Sequence, residues 1–395
     1  MRVILESLDL TRVPAHADLQ WERMLNEVSF DLKRSGRFLV ADLKEPHRVL
    51  STSVRHGGQV DYVRHLLNHQ SCEGSAHLDR HRVITEGGLE AYHDLVCAEV
   101  ALPADETAVM GTAANMNYVA VVQERDEALV VTAAVTAGVE GNATAAGESA
   151  SWRETESGMQ KVPAYAGTIN TVLIVNRPLT PAALARVVVT MTEGKSAALQ
   201  RLAVPSKLSI DLATGTGTDQ YCIAAPSSGA PALTSASPHM KLGELVGLAT
   251  RKATMEALRW QNGLEASYTR GVFHALGRYG VREATLFDDI APFLNESDLE
   301  LLRKNAKSAF YEPLVGAAAH ALATVCDRVR YGTIPDAVAA DAMAQQSAVL
   351  AANLAAQVPR WAEFRGILRP HANGDVKTLV LRAVALGWSE KWRTG

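Results

Sequence analysis

Short runs of Val, Ile, Leu and Thr alternate with turn-forming residues through the first half of the chain. Such runs are typical of β-strands, because branched side chains suit an extended backbone. In residues 129–131 and 172–175 the apolar side chains are continuous, which predicts strands buried on both faces. The runs expected to form strands are Arg2–Leu8, Phe38–Leu43, Arg48–Ser53, Ala108–Thr112, Ala128–Thr136 and Thr168–Asn176.

Two long helices are expected after these strands. Thr180 followed by Pro181 marks a helix start, because threonine caps free N–H groups and proline suits the first helical position. This helix should extend to about Leu202. A second helix should extend from Leu242 to Trp260 and continue past Asn262–Gly263.

The character of the chain changes near Gly280, where strand-like runs become scarce and Ala-rich stretches with a helical period dominate. The length of 395 residues favours more than one hydrophobic core. The pattern therefore predicts an α/β or α+β domain over residues 1–280, with a mixed central sheet and long flanking helices. An all-helical C-terminal extension should follow over residues 281–395. Ala143–Pro163, rich in Ala, Gly, Ser and Glu, is expected to be an exposed loop.

Composition excludes several classes of protein. The net charge of -4 gives no field that would gather nucleic acid, and no run of about 18 apolar residues predicts a membrane span. The four cysteines are scattered without a CxxC pair, as expected of reduced thiols in a cytoplasmic protein. The C-terminal helices could form a separate domain, a lid or the interface of a homo-oligomer.

The segment His56–Cys97 is rich in residues that ligate metals. The pairs His65/His69 and His77/His81 are each spaced by four residues, which on a helix allows zinc chelation. The accompanying arginines instead indicate a solvated surface, and HExxH is absent. The expectation is therefore that the protein binds no metal of its own. Other potential ligands in this segment are Cys72, His93 and Cys97.

Three polar clusters follow apolar runs, where loops at a sheet edge often form sites. They are Leu50–Gly58, Val135–Ala143 and Ala213–Asp219. Alternating Thr and Gly, as in the third cluster, lets backbone N–H groups and hydroxyls approach an oxyanion or phosphate, although such a run by itself more often marks an ordinary turn at a strand end. Walker A, GxGxxG and GxSxG patterns are absent. Glu193 and Lys195 lie in the first predicted helix, about 200° apart, and cannot share a face.

Taken in order, these clusters resemble the motif series of the adenosylcobinamide amidohydrolase (CbiZ) family. The resemblance extends from about residue 38 to residue 260. His56 stands where the family usually has Asn, Gly194 replaces Ala, and Glu140–Gly141 adds length before Asn142. The matching segments are Leu50–Ser53, His56–Gly58, Asn68–His69, Met110–Ala114, Val135–Gly138, Asn142–Ala143, Gly167–Thr171, Thr192–Lys195, Ala213–Asp219 and Gly243–Gly247.

The resemblance implies hydrolysis of the amide that joins aminopropanol to the corrin ring of adenosylcobinamide, giving adenosylcobyric acid. Glu193 or Asp219 would activate water, with Ser53 as an alternative covalent nucleophile and His56 as a proton shuttle. No cofactor is implied, because the cobalt corrinoid is the substrate; the histidine-rich segment could contact its cobalt. Two alternatives stay open: an enzyme acting on another substrate, and a non-catalytic corrinoid-binding protein. Expected substrate contacts are Gly57, Gly58, Asn142, Asn170, Lys195, Thr214, Thr216 and Thr218.

Overall fold

The computed structural model describes residues 19–71, 77–150, 152–156, 158–161 and 167–391. By its internal contacts the chain forms two compact units. The first contains the described residues up to Leu208 together with Leu212–Leu264, and the second contains Ser209–Asp211 and the chain from Glu265 onward. The change in composition at Gly280 comes later than this division, because two short helices of the second unit precede it.

The strands all lie in the first unit. They are β1 Glu22–Asn26, β2 Phe30–Ser35, β3 Phe38–Leu43, β4 His47–Ser51, β5 Gly58–Val60, β6 His65–Gln70, β7 Thr107–Thr112, β8 Ala120–Asp126, β9 Leu129–Gly138, β10 Ala143–Thr144, β11 Trp152–Thr155, β12 Gly158–Lys161, β13 Thr168–Val175, β14 Gly215–Thr216 and β15 Gln220–Pro226. The helices of this unit are α1 His77–Glu99, α2 Pro181–Arg201 and α3 Lys241–Asn262.

Two mixed sheets form the centre of this unit. One has the order β1-β2-β3-β6-β7, in which only β6 and β7 are parallel. The other has the order β5-β4-β15-β13-β9-β8, in which only β13 and β15 are parallel. The short strands form two further pairs, β10 with β14 and the hairpin β11–β12.

The unit is layered as helix, sheet, sheet and helix pair. Apolar side chains of both sheets, among them Met110 and Val172, pack against each other in one core. The outer face of the five-stranded sheet packs on α1, and that of the six-stranded sheet packs on α2 and α3. Strands covered on both faces explain why β13 is buried along its whole length and why its second half, residues 172–175, is continuously apolar.

The helix ends follow local capping chemistry. The Thr180 hydroxyl accepts a hydrogen bond from the Ala183 N–H, and Pro181 opens α2. Helix α3 ends at Asn262, because Gly263 takes the left-handed conformation with φ 64° that commonly ends a helix. The expected continuation past Asn262–Gly263 is therefore wrong.

The second unit is helical throughout its described residues. Its largest buried side chains, Phe310, Phe364 and Trp388, share one apolar core with Ala-rich helix faces. No helix in the described ranges is both long and apolar enough to cross a membrane. Its helices are α4 Ala266–Thr269, α5 Val272–Leu276, α6 Leu286–Ile290, α7 Glu296–Phe310, α8 Pro313–Arg330, α9 Asp336–Ala355, α10 Trp361–Leu368 and α11 Val376–Glu390.

The predicted fold class is confirmed: a mixed α/β domain is followed by an all-helical region. The strands are divided between two sheets, whereas one central sheet was expected. Ala143–Pro163 is not simply a loop, because it contains β10 and the hairpin β11–β12. Arg2–Leu8 lies outside the described residues, and so do Cys72 and the side chains of His77 and His81.

Candidate functional site

The Asp219 carboxylate organises the Thr-Gly loop. Its Oδ1 accepts hydrogen bonds from the Ile169 N–H (3.0 Å) and the Thr216 hydroxyl (2.5 Å). Its Oδ2 accepts from the Thr216 N–H (3.1 Å) and forms an ion pair with the Lys195 ammonium. A carboxylate has about four lone-pair positions, and all four are occupied here. Asp219 therefore ties the loop to β13 and α2.

Two threonine hydroxyls lie side by side at the start of β13. The Thr218 Oγ1 is 2.6 Å from the Thr168 Oγ1 and 2.7 Å from the Gly167 carbonyl oxygen. The Asn142 amide donates to the same carbonyl at 2.9 Å. Asn142 and Thr218, which the sequence places far apart, are thus brought to one sheet edge.

A cavity of about 350 Å³ opens at this edge, with residues from both sheets and from α1 in its wall. Its lining includes the apolar residues Val54, Ile84 and Leu89 together with several polar residues. Such a mixture of apolar surface and few polar groups is typical of a small-molecule site. The polar residues that line it are Thr52, Ser71, Thr112, Thr168, Thr218, Gln220 and His93.

The orientation of the Gln220 amide is fixed by the Gly111 N–H, which donates to Gln220 Oε1 at 3.0 Å. The amide NH₂ group is therefore left as a hydrogen-bond donor at the cavity wall. A donor in this position could stabilise negative charge on a bound carbonyl oxygen.

Ser53 is buried beside the cavity and holds the two sheets together. Its hydroxyl accepts a hydrogen bond from the Val109 N–H at 3.0 Å, and the residue is 5% exposed. The described residues that line the cavity include Thr52 and Val54 but not Ser53. Its role as a nucleophile would require the side chain to turn.

His56 has a structural reason for its position. Its backbone is left-handed, with φ 63°, a conformation in which Asn and His are enriched. The ring Nε2 donates to the Ala104 carbonyl (3.0 Å), and Nδ1 is paired with the Tyr62 hydroxyl (2.9 Å). Gly57 and Gly58 follow in the same turn at the start of β5. Both ring nitrogens of His56 are therefore occupied.

Helix α2 presents its polar residues to different environments. Lys195 contacts Asp219, whereas Glu193 is exposed to solvent. This confirms that the two cannot share a helix face. Gly194 faces α3, where an added Cβ would lie 2.7 Å from the Gly247 carbonyl oxygen. The helices are closely packed at this crossing.

Two further residues that were predicted to contact substrate form hydrogen bonds within the protein. The buried Asn170 donates to Asn68 Oδ1 (2.9 Å) and to the Gly111 carbonyl (3.0 Å), which links the two sheets. The Thr214 hydroxyl accepts from the Ala146 N–H at 2.9 Å. Asn170 and Thr214 therefore shape the edge on which the cavity lies.

The histidine pair His65/His69 lies on strand β6, not on a helix, so the helical chelation geometry is wrong for it. His65 is paired with Asp42 (2.7 Å), and His69 with the Tyr92 hydroxyl (3.1 Å). Burial raises the pKa of the Cys97 thiol to about 12. Among the described residues, no three His, Cys, Asp or Glu side chains are grouped to hold a metal ion.

His93 was missed as a site residue by sequence reasoning, which considered it only as one of several metal ligands. It lies in α1 beyond an interruption of the helix at Gly88, and it is one of the residues that line the cavity. The only signal in the sequence was its place in the histidine-rich segment.

The fold defines a two-sheet α/β protein with a cavity of mixed apolar and polar lining at one sheet edge. Residues 24–266, more than half of the chain, match the adenosylcobinamide amidohydrolase family. The chain is also 32% identical over 183 residues to an uncharacterized protein of Methanocaldococcus jannaschii, covering 44% of this chain and 71% of that protein. The chain therefore belongs to the adenosylcobinamide amidohydrolase family.

Proposed function

We propose that this protein hydrolyses the amide between aminopropanol and the corrin ring of adenosylcobinamide, releasing adenosylcobyric acid. The observation that carries the proposal is the family match over residues 24–266, which spans every residue of the cavity wall and the Asp219 loop. Amide hydrolysis needs an activated water or nucleophile, a donor for the oxyanion and an acid for the amine.

The size of the cavity supports binding of the side chain rather than of the ring. Its volume of about 350 Å³ is near the lower end for drug-sized ligands, about 300–1,000 Å³. A corrinoid is larger than such ligands, so the aminopropanol amide would enter and the ring would remain outside. Thr168 and Thr218 would contact the amide, and the Gln220 NH₂ group would donate to its carbonyl oxygen.

The roles expected of the acidic residues are refined in this proposal. Asp219 positions the loop, because its lone pairs are already occupied by four donors. Water is favoured over Ser53 as the attacking group, since the Ser53 hydroxyl is engaged by the Val109 N–H. Glu193 stays a candidate base only if substrate reaches the exposed face of α2.

The test is incubation of the purified protein with adenosylcobinamide, followed by liquid chromatography with mass detection. We expect adenosylcobyric acid and aminopropanol, with turnover strongly reduced in Gln220→Ala and unchanged in Glu193→Ala. Binding of the corrinoid without product would favour a carrier protein. Absence of both binding and product would show that the fold serves another substrate.

A further inference from the structure

His93 combines burial with an unsatisfied ring nitrogen. The residue is 2% exposed, and its Nε2 lies 3.0 Å from the Ala104 carbonyl oxygen. A carbonyl only accepts hydrogen bonds, so Nε2 carries the hydrogen and the neutral ring has its lone pair on Nδ1. Among the described residues, this buried Nδ1 has no hydrogen-bond partner.

A buried acceptor without a partner needs an explanation. Native structures rarely leave such a group unpaired without a bound molecule or a function. His93 is one of the residues that line the cavity, together with Thr112 and Gln220. A water molecule or a substrate N–H that reached Nδ1 from the cavity could donate a hydrogen bond to it.

Burial and neighbouring positive groups hold the pKa of His93 below its ordinary value. Burial is the main cause that lowers its pKa, and Arg55 and His56 lower it further. Asp94 opposes them, but its carboxylate is paired with Arg55 at 2.8 Å. The His56 ring, 5.9 Å away, donates to the same Ala104 carbonyl. A neutral imidazole with a fixed tautomer is suited to remove a proton near neutral pH.

We propose that His93 is the general base of the hydrolysis, an inference that rests on the proposed function. Nδ1 takes a proton from water as the water oxygen bonds to the amide carbon. The carbonyl oxygen becomes an oxyanion next to the Gln220 NH₂ group. The C–N bond then breaks, and the Nδ1 proton passes to the departing nitrogen, giving the amine and a carboxylic acid.

The test compares His93→Gln with the matched control His320→Gln. The glutamine amide can retain the hydrogen bond to the Ala104 carbonyl, while the lone pair of Nδ1 is lost. We expect kcat to fall by about 10²–10⁴-fold, the usual contribution of a general base, with corrinoid binding retained. His320 lies in α8 of the second unit, and its Nε2 contacts the Thr269 carbonyl oxygen at 2.9 Å. His320→Gln makes the same chemical change at a residue that is not among those lining the cavity, and it should leave turnover unchanged.

The pH profile separates a base from a structural residue. In the wild type, kcat/KM should fall in acid with a pKa below the ordinary histidine value of about 6.5. The residual rate of His93→Gln should lack this acid limb. A wild-type profile without the limb would overturn the assignment even if His93→Gln failed to fold.

The possible results distinguish the two proposals. An active wild type with an equally active His93→Gln would refute the role of His93 and leave amide hydrolysis standing. A wild type that binds adenosylcobinamide but forms no product would refute the hydrolysis, and the role of His93 with it.

Discussion

The close crossing of α2 and α3 makes Gly194 more important than its helical position suggests. In a helix interior, replacing Gly by Ala normally stabilises by about 0.5–1 kcal/mol. Here the added Cβ would lie 2.7 Å from the carbonyl oxygen of Gly247 and 3.2 Å from its Cα. Both are backbone atoms of a rigid helix, so the helices would have to separate. Overpacking of this kind costs about 1–3 kcal/mol, so we expect Gly194→Ala to be destabilised by roughly 0.5–2 kcal/mol.

Gly247→Ala is the matched control. Its Cβ would meet only the Thr190 Cγ2 at 3.6 Å, an ordinary contact, so the gain in helix propensity should survive. Urea unfolding followed by circular dichroism would compare the two variants, with hydrogen exchange of α2 and α3 to locate the change. If Gly194→Ala were as stable as Gly247→Ala, the close approach of the helices would be refuted.

Two further predictions concern charge. Asp219→Ala should destabilise the protein by about 2–4 kcal/mol, because four donors lose their acceptor. Lys195→Met should destabilise it less, because the carboxylate keeps its other three donors. Thermal unfolding that ranked the two variants in the opposite order would contradict this. Burial lowers the pKa of His47 and His69, so their stabilisation is complete above the unfolded pKa of about 6.5 and is lost as pH falls below it. The urea midpoint of the wild type should therefore fall as the pH is lowered from 6.5 to 5, and it should fall less steeply with pH in His69→Gln. An equal dependence on pH in the two proteins would exclude His69 as a cause of the acid destabilisation.

Local sequence signals determined several elements closely. The Thr180–Pro181 start of α2 and its end near Leu202 follow from capping chemistry, which involves only neighbouring residues. Strand β3 was predicted with its exact bounds, and β13 to within one residue, because continuous apolar runs reflect burial on both faces. The order of the polar motifs was enough to indicate the family.

Pairings between distant residues were not readable in this way. The pair His65/His69 was considered as a helical metal-binding pair, although it lies on strand β6. A spacing of four residues places side chains on one face of either a helix or a strand, so the spacing does not distinguish the two. Only the partner strands β3 and β7 decide that these residues are extended. The division into two sheets likewise depends on which strands meet, since hydrogen bonds between strands are set by tertiary packing.

The sequence by itself therefore determined the fold class, the capped helices and the loop that carries Asp219. The tertiary structure decided which of those polar residues face the cavity and which only hold it in shape. In the structure the Asp219 carboxylate, a candidate base, accepts from four donors. His93 lies in the cavity wall, and one of its buried ring nitrogens has no hydrogen-bond partner among the described residues. The physical reason is that the availability of a proton acceptor depends on its hydrogen-bond partners, and these come from segments far apart in the chain.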